Sequence, residues 1–172
     1  IALAVAPSRP SVVYATVEAD KTGLYRSDDL GDTWRWVGST GSVEARPFYF
    51  SLLIVDPTDH DRVYKPATFT SVSTDGGETF SQLGGGNHPD HHALWIDPEN
   101  PDIMLVGTDG GLYTSHDRGV HWNFLQSLPI SQFYHVSCDM DDPYNVYGGL
   151  QDNGTWMAPS RAPSGVTNKH WD

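Results

Sequence analysis

The sequence predicts an all-β chain of four-stranded antiparallel units, the blades of a β-propeller. Three observations predict it. First, an octet recurs: Ser27 to Trp34, Ser73 to Phe80 and Ser115 to Trp122 all read Ser-x-Asp-x-Gly-x-x-aromatic. Second, the copies begin 46 and then 42 residues apart, a period expected of stacked supersecondary units. Third, short apolar runs broken by Gly and Pro surround each octet at matching places, giving four strands per roughly 42 residues, the content of a propeller blade. No helical periodicity lasts two full turns, so very little helix is expected.

Taken in order, each unit opens with an apolar strand, a Pro-containing turn and a second strand. The first unit has Leu3 to Ala6, Pro7-Ser8-Arg9-Pro10 and Val12-Val13-Tyr14. The second has Ser51 to Val55, Asp56-Pro57 and Val63-Tyr64; the third has Leu94-Trp95-Ile96, Asp97-Pro98 and Ile103-Met104-Leu105; the fourth has Tyr134 to Ser137, Asp142-Pro143 and Val146-Tyr147. Tyr14, Tyr64, Leu105 and Tyr147 are therefore equivalent. Pro suits strand exits because it cannot donate within a central ladder. A third strand such as Gly23-Leu24-Tyr25-Arg26 or Gly111-Leu112-Tyr113-Thr114 leads into the octet, and a fourth leaves it, as at Trp34-Arg35-Trp36-Val37. Unit boundaries fall at roughly 1–43, 44–86, 87–128 and 129–172, all one propeller segment. The fourth unit lacks an octet, since Ala158 stands where Ser115 does, and residues 165–172 read as either a final strand or a loop.

Within the octets, Ser27, Asp29, Gly31 and Trp34, then Ser73, Asp75, Gly77 and Phe80, then Ser115, Asp117, Gly119 and Trp122 are assigned a structural role. The carboxylate can accept backbone N–H groups across a tight turn, Gly supplies a positive φ, and the aromatic ring plugs the gap between neighbouring sheets. Repetition of the same carboxylate argues for a repeated structural duty rather than for catalysis or calcium.

These octets resemble the Asp-box, or BNR, repeats of β-propellers in sialidases, sortilin-type receptors and xyloglucan-cleaving glycoside hydrolases. Together with Arg46 to Phe50, His91 to Pro98 and Gly149 to Thr155, they make the whole chain similar to large bacterial glycosyl-hydrolase-like propeller proteins. The resemblance implies a propeller that normally has more blades, so the chain is expected to be a piece of a longer ring; a closed four-bladed ring is the competing reading. For activity it implies less. Sialidases need three arginines, a Tyr nucleophile and an Arg-Ile-Pro motif, of which only Arg46-Pro47 is reminiscent, and neither catalytic Asp of the xyloglucan-cleaving relatives can be matched here.

Composition narrows the partners. The 172 residues can bury a real core. A net charge of −12 with only ten Lys plus Arg excludes the basic footprint that nucleic acid or an anionic membrane surface requires. No run approaches the ~18 apolar residues of a membrane helix, and Ile1 to Ala6 fits a first strand better than a signal peptide. Cys138 has no internal disulfide partner and is expected to be a small buried hydrophobe.

Four groups carry candidate chemistry. His88, Asp90, His91 and His92 could line a polar channel mouth or contact a ligand; adjacent His91 and His92 point to opposite faces of a strand, so no metal site is assigned, and no cofactor is expected. Gln151, Asn153 and Trp156 combine polar edges with an indole face, which suits sugar. Asp109 and Asp152 are the best local bets for catalytic carboxylates, a glycoside hydrolase needing two of them across a cleft, although both also suit turns. Arg46, beside aromatics, could hold a carboxylate. The leading reading is a secreted or periplasmic propeller module that binds carbohydrate or protein at the inner ends of its blades. A glycoside hydrolase using paired carboxylates at the same mouth and a sortilin-like peptide-binding scaffold are the alternatives. Partners are a carbohydrate or protein ligand, and either further copies or the remaining blades of a longer chain.

Overall fold

The computed structural model describes residues 1–38, 41, 49–126 and 132–172. Fifteen strands are found among them: β1 (Ala2–Val5), β2 (Val13–Val17), β3 (Gly23–Ser27), β4 (Arg35–Gly38), β5 (Ile54–Val55), β6 (Val63–Lys65), β7 (Ser71–Ser73), β8 (Ser81–Gln82), β9 (His91–Ile96), β10 (Met104–Thr108), β11 (Gly111–Ser115), β12 (Asn123–Phe124), β13 (Phe133–Cys138), β14 (Asn145–Leu150) and β15 (Thr155–Pro159). They form antiparallel meanders: β1–β4, β5–β8 and β9–β12 are four-stranded, and β13–β15 is three-stranded. No helix among the described residues is long and apolar enough to cross a membrane. The chain divides into two compact units, Ile1–Leu125 with the first three sheets and Gln126–Asp172 with the fourth.

Within the first unit, two-residue alternation sorts each sheet into a leading face, toward the sheet before it, and a trailing face. Ala2, Ala4, Tyr14 and Leu24 on the trailing face of β1–β4 meet Leu53, Val55 and Val63 on the leading face of the second sheet. Ile54, Tyr64 and Val72 on that sheet's trailing face meet Leu94, Ile96, Met104 and Val106 of the third. Tyr14, Val63, Tyr64, Met104 and Val106 are fully buried. Each of the aliphatic ones contributes about 1.5–3 kcal/mol on burial, so these two seams hold the unit together.

The three octets fold into one turn geometry. Ser27, Ser73 and Ser115 donate through Oγ to the carboxylates of Asp29, Asp75 and Asp117 at 2.7, 2.7 and 2.8 Å, and each Oγ accepts the N–H of Gly31, Gly77 or Gly119 at 2.8–2.9 Å. The same carboxylates accept the N–H of Thr33, Thr79 and His121. Their second oxygens take the Thr33 and Thr79 hydroxyls at 2.5 Å and meet His121 Nδ1 at 2.6 Å. These hydrogen bonds to the charged form hold all three carboxyls down at about 2. Two consecutive residues of each turn have positive φ: Leu30 and Gly31, Gly76 and Gly77, Arg118 and Gly119. At Gly77 and Gly119 the backbone closes on the preceding sheet, where a Cβ would stand 2.3 Å from Leu24 Cδ2 and 2.7 Å from Leu83 Cδ2.

A second carboxylate recurs where the first strand of a sheet turns into the second. Asp56 accepts the N–H and hydroxyl of Thr58 and the hydroxyl of Tyr64; Asp97 accepts the N–H groups of Glu99 and Asn100; Asp139 accepts from Asn145 and Tyr147. The first sheet has Ala6 there. Its Tyr14 hydroxyl donates instead to His60 O in the second sheet and accepts from Arg26 Nη1, both at 2.9 Å. Buried Arg26 also bonds Asp28 at 2.7 Å and Asp61 at 2.5 Å.

Two expectations are corrected and one left open is decided. Phe80 and Trp122 pack into the two seams, but Trp34 is 41% exposed and folds back on its own turn, its Nε1 donating to Gly31 O. Among the described residues the two packed seams include Phe80 and Trp122 but not Trp34, so Trp34 plugs neither. Cys138 is exposed rather than buried, because β13 is exposed along all six residues and nothing among the described residues of its unit packs over it. Among the described residues the fourth unit has three strands. Residues 165–172 supply neither a full strand nor a free loop: a 3-10 turn at Asn168–His170 brings Asp172 to exchange two backbone hydrogen bonds with Met157.

Candidate functional site

In the first unit, the segments entering the first strands of three successive sheets converge. Ala2 and Leu3 of β1, residues 49–53 before β5, Pro66, and His91 and His92 of β9 line a cleft of about 270 Å³. The loop that carries the histidines is held on both sides. The N–H groups of Asp90 and His91 donate to Thr68 O and Ala67 O at 2.8 Å, and Asp109 N–H donates to Asp90 O at 3.3 Å. Asp90 takes a left-handed φ of 61° at this bend. His88 lies over Gly110, where a Cβ would stand 2.3 Å from its Cγ.

His91 and His92 do point to opposite sides. His91 is buried, with Nδ1 accepting from Thr70 N–H and 2.8 Å from the Thr70 hydroxyl, and Nε2 3.1 Å from His88 O. Burial pushes its pKa down, so it is a neutral packing residue. His92 faces the cleft. Its Nε2 lies 2.9 Å from Asp109 Oδ1, its ring stacks on Phe50 at 5.3 Å and 29°, and Tyr49 meets it edge-on at 5.2 Å. The carboxylate orients the imidazole, and two aromatic rings hold it from the side.

Beneath this group lies Lys65, only 1% exposed. It stands where the repeat has Ala15 and Val106. Its ammonium donates to the carbonyls of Phe50 and, at 3.3 Å, Pro66, both in the cleft wall. Burial pulls its pKa down to about 8.

The structure thus brings His92 and Asp109 together, with Asp90 and His88 in the same loop layer. Gln151, Asp152, Asn153 and Trp156 are gathered separately in the second unit, on the turn between β14 and β15 and the start of β15. There Asn153 Nδ2 donates to Gln151 O at 2.8 Å, Trp156 Nε1 donates to Asn153 O at 2.9 Å, and Asp152 has a φ of 58°. Arg46 lies outside the described residues. Among the described residues no three His, Cys, Asp or Glu side chains are placed to hold a metal. Sequence reasoning missed Phe50 and Lys65 as parts of the site. A lysine at a repeat position otherwise occupied by Ala, Val and Gly was the available signal.

Fold and cleft together define a class: the chain is an all-β segment built of β-propeller blades, with a cleft where first strands begin. Similar proteins are of that class. No family model matches the chain. Xyloglucanase Xgh74A of Acetivibrio thermocellus is 29% identical over 170 residues, covering 81% of this chain and 20% of that protein. This chain therefore spans about a fifth of the length of the curated relatives it matches. Among solved structures, the GH74 enzyme of Niastella koreensis superposes with a TM-score of 0.63 at 18% identity, covering 99% of this chain and 29% of that one. YCF48 from Cyanidioschyzon merolae superposes at 0.52 with 16% identity, over 94% and 53% of the two chains.

Proposed function

We propose that this chain is part of a carbohydrate-recognising propeller and that sugar is held in the cleft at the starts of β1, β5 and β9. The observation that carries the reading is the His92–Asp109 pair at 2.9 Å, flanked by the rings of Tyr49 and Phe50. A pyranose has apolar C–H faces and a polar rim. Half-exposed Tyr49 offers a stacking surface, and the imidazole and carboxylate offer a donor and acceptors to hydroxyls. Similarity to a xyloglucanase makes xyloglucan the first probe. The same reading carries the secreted or periplasmic setting, since such polymers lie outside the cytoplasm.

The test is isothermal titration of the chain with xyloglucan oligosaccharides, beside Tyr49→Ala and His92→Ala. Loss of one stacking ring is worth about 0.5–1.5 kcal/mol, so Tyr49→Ala should weaken binding by roughly two- to twelvefold. Wild-type binding that neither substitution changes would remove the cleft from the reading. The hydrolase alternative is decided in the same samples: reducing-end release that disappears in Asp109→Asn while binding persists would make Asp109 catalytic.

A further inference from the structure

We infer that the cleft prefers a sugar bearing a carboxylate, a hexuronate, because the buried ammonium of Lys65 puts an uncompensated positive charge behind its wall. The inference rests on the sugar-binding reading of the same cleft and names the class of sugar. Lys65 is 1% exposed at the end of β6, and its ammonium donates to the carbonyls of Phe50 and Pro66. Both residues line the cleft, so the charge lies one hydrogen bond behind the surface a ligand would touch. An ammonium carries three protons, and among the described residues these two carbonyls are its only partners.

Among the described residues no carboxylate pairs with it. Burial alone accounts for its lowered pKa, so no neighbouring charge acts on the group. Equivalent positions in the other sheets hold Ala15, Val106 and Gly148, so the repeat does not need a cation there. A buried charge without a counter-charge destabilises the fold. An anion bound on the other side of the wall would offset that cost.

A ligand oxygen resting on that wall would stand on the order of 6 Å from Lys65 Nζ, one hydrogen bond plus one van der Waals contact away. At such a separation in a partly buried site, opposite unit charges attract strongly enough to change affinity by more than tenfold. Other groups temper this. Tyr49, His91 and His92 lie in the wall itself, and His88 and Asp90 in the loop before β9. The Asp109 carboxylate would repel an anion, but it lies 2.9 Å from His92 Nε2. The net charge of −12 is screened beyond about 8–10 Å. A preference of about tenfold for the acid over its neutral counterpart is left.

The test is isothermal titration of the full chain with trigalacturonate and triglucuronate, each beside its methyl ester, and with xyloglucan oligosaccharides. Esterification keeps the skeleton and removes the charge. The titrations are run near pH 8, where the Lys65 amine is about half protonated. At least one acid should bind about tenfold more tightly than its ester. It should also draw up to about half a proton from the buffer, because the carboxylate favours the charged amine. That uptake is read as a difference in heat between two buffers of unlike ionisation enthalpy. In Lys65→Met the preference and the uptake should both disappear while ester binding stays. Lys65→Gln, which keeps a donor for the carbonyls without the charge, takes its place should Lys65→Met lose its cooperative melt. Titration of the other groups is common to wild type and variants and cancels. Acids that bind no better than their esters, or a preference that survives loss of Lys65, would overturn the inference. Acid and ester weakened alike in both variants would also overturn it, leaving Lys65 a purely structural part. Xyloglucan or ester binding without an acid preference would sink this inference and leave the sugar reading standing; binding by none of the sugars would end both.

Discussion

Lys65 offers the sharpest test of how the cleft is supported. Its ammonium is buried against two carbonyls, with a pKa pulled from 10.5 to about 8. In the unfolded chain the group keeps its proton up to about 10.4, while the folded chain releases it near 8. Between those values the unfolded state binds more protons, so stability rises with pH across that window. Integrating from neutral pH to about pH 9.5 gives a gain on the order of 2 kcal/mol. Tyr14 and Tyr64, pushed up to about 12 by burial, act in the opposite sense by a few tenths of a kcal/mol, but they act equally in a Lys65→Met variant. Urea unfolding at both pH values, on wild type and Lys65→Met, therefore isolates Lys65 as the difference between two differences. The variant should lose the gain. An equal pH response in the two proteins would refute the claim that Lys65 is a buried charge with a depressed pKa.

Three further outcomes are expected. Asp75→Ala removes the acceptor for Ser73 Oγ, Thr79 N–H and Thr79 Oγ1, and should cost on the order of 1 kcal/mol in a thermal melt. Because Asp29, Asp75 and Asp117 have folded pKa values near 2, below the usual carboxylate range, their contribution is present above about pH 4; it should fade as pH falls toward 2, as tracked by circular dichroism. Leu30→Gly relieves a left-handed non-glycine residue and should stabilise or leave unchanged the first turn, since the left-handed cost of roughly 1–2 kcal/mol exceeds glycine's entropic one; a lower melting temperature would count against strain there.

The sheets were legible because strand periodicity and turn chemistry act locally. Spaced Asp and Gly residues marked the turns, and Tyr14, Tyr64 and Leu105 fixed equivalent strands without knowledge of what packs on them. What escaped were properties of pairs of elements. Cys138 reads as a small apolar residue on a strand, but whether a strand is covered depends on its neighbours. His92 and Asp109 stood in separate motifs, and their contact arises because the Asp109 turn docks under the 88–92 loop. Lys65 was visible as an oddity in the repeat, yet its partners are backbone carbonyls, which no side-chain pattern records.

Gly76 shows how far such neighbour effects reach into what looks like a local motif. Its turn position holds Leu30 and Arg118 in the other two copies, so a side chain there is compatible with the turn itself. In the second copy a Cβ would stand 2.5 Å from Arg26 Nη1 and 3.4 Å from Asp61 Oδ1. The guanidinium that gives the Tyr14 hydroxyl its partner thus forbids a side chain fifty residues later. The octets share a pattern but are not interchangeable parts: residues 27–34 transplanted into 73–80 would drive a leucine into that ion network. Each copy is fitted to its place in the series, and the order of the sheets is written into turns that appear identical.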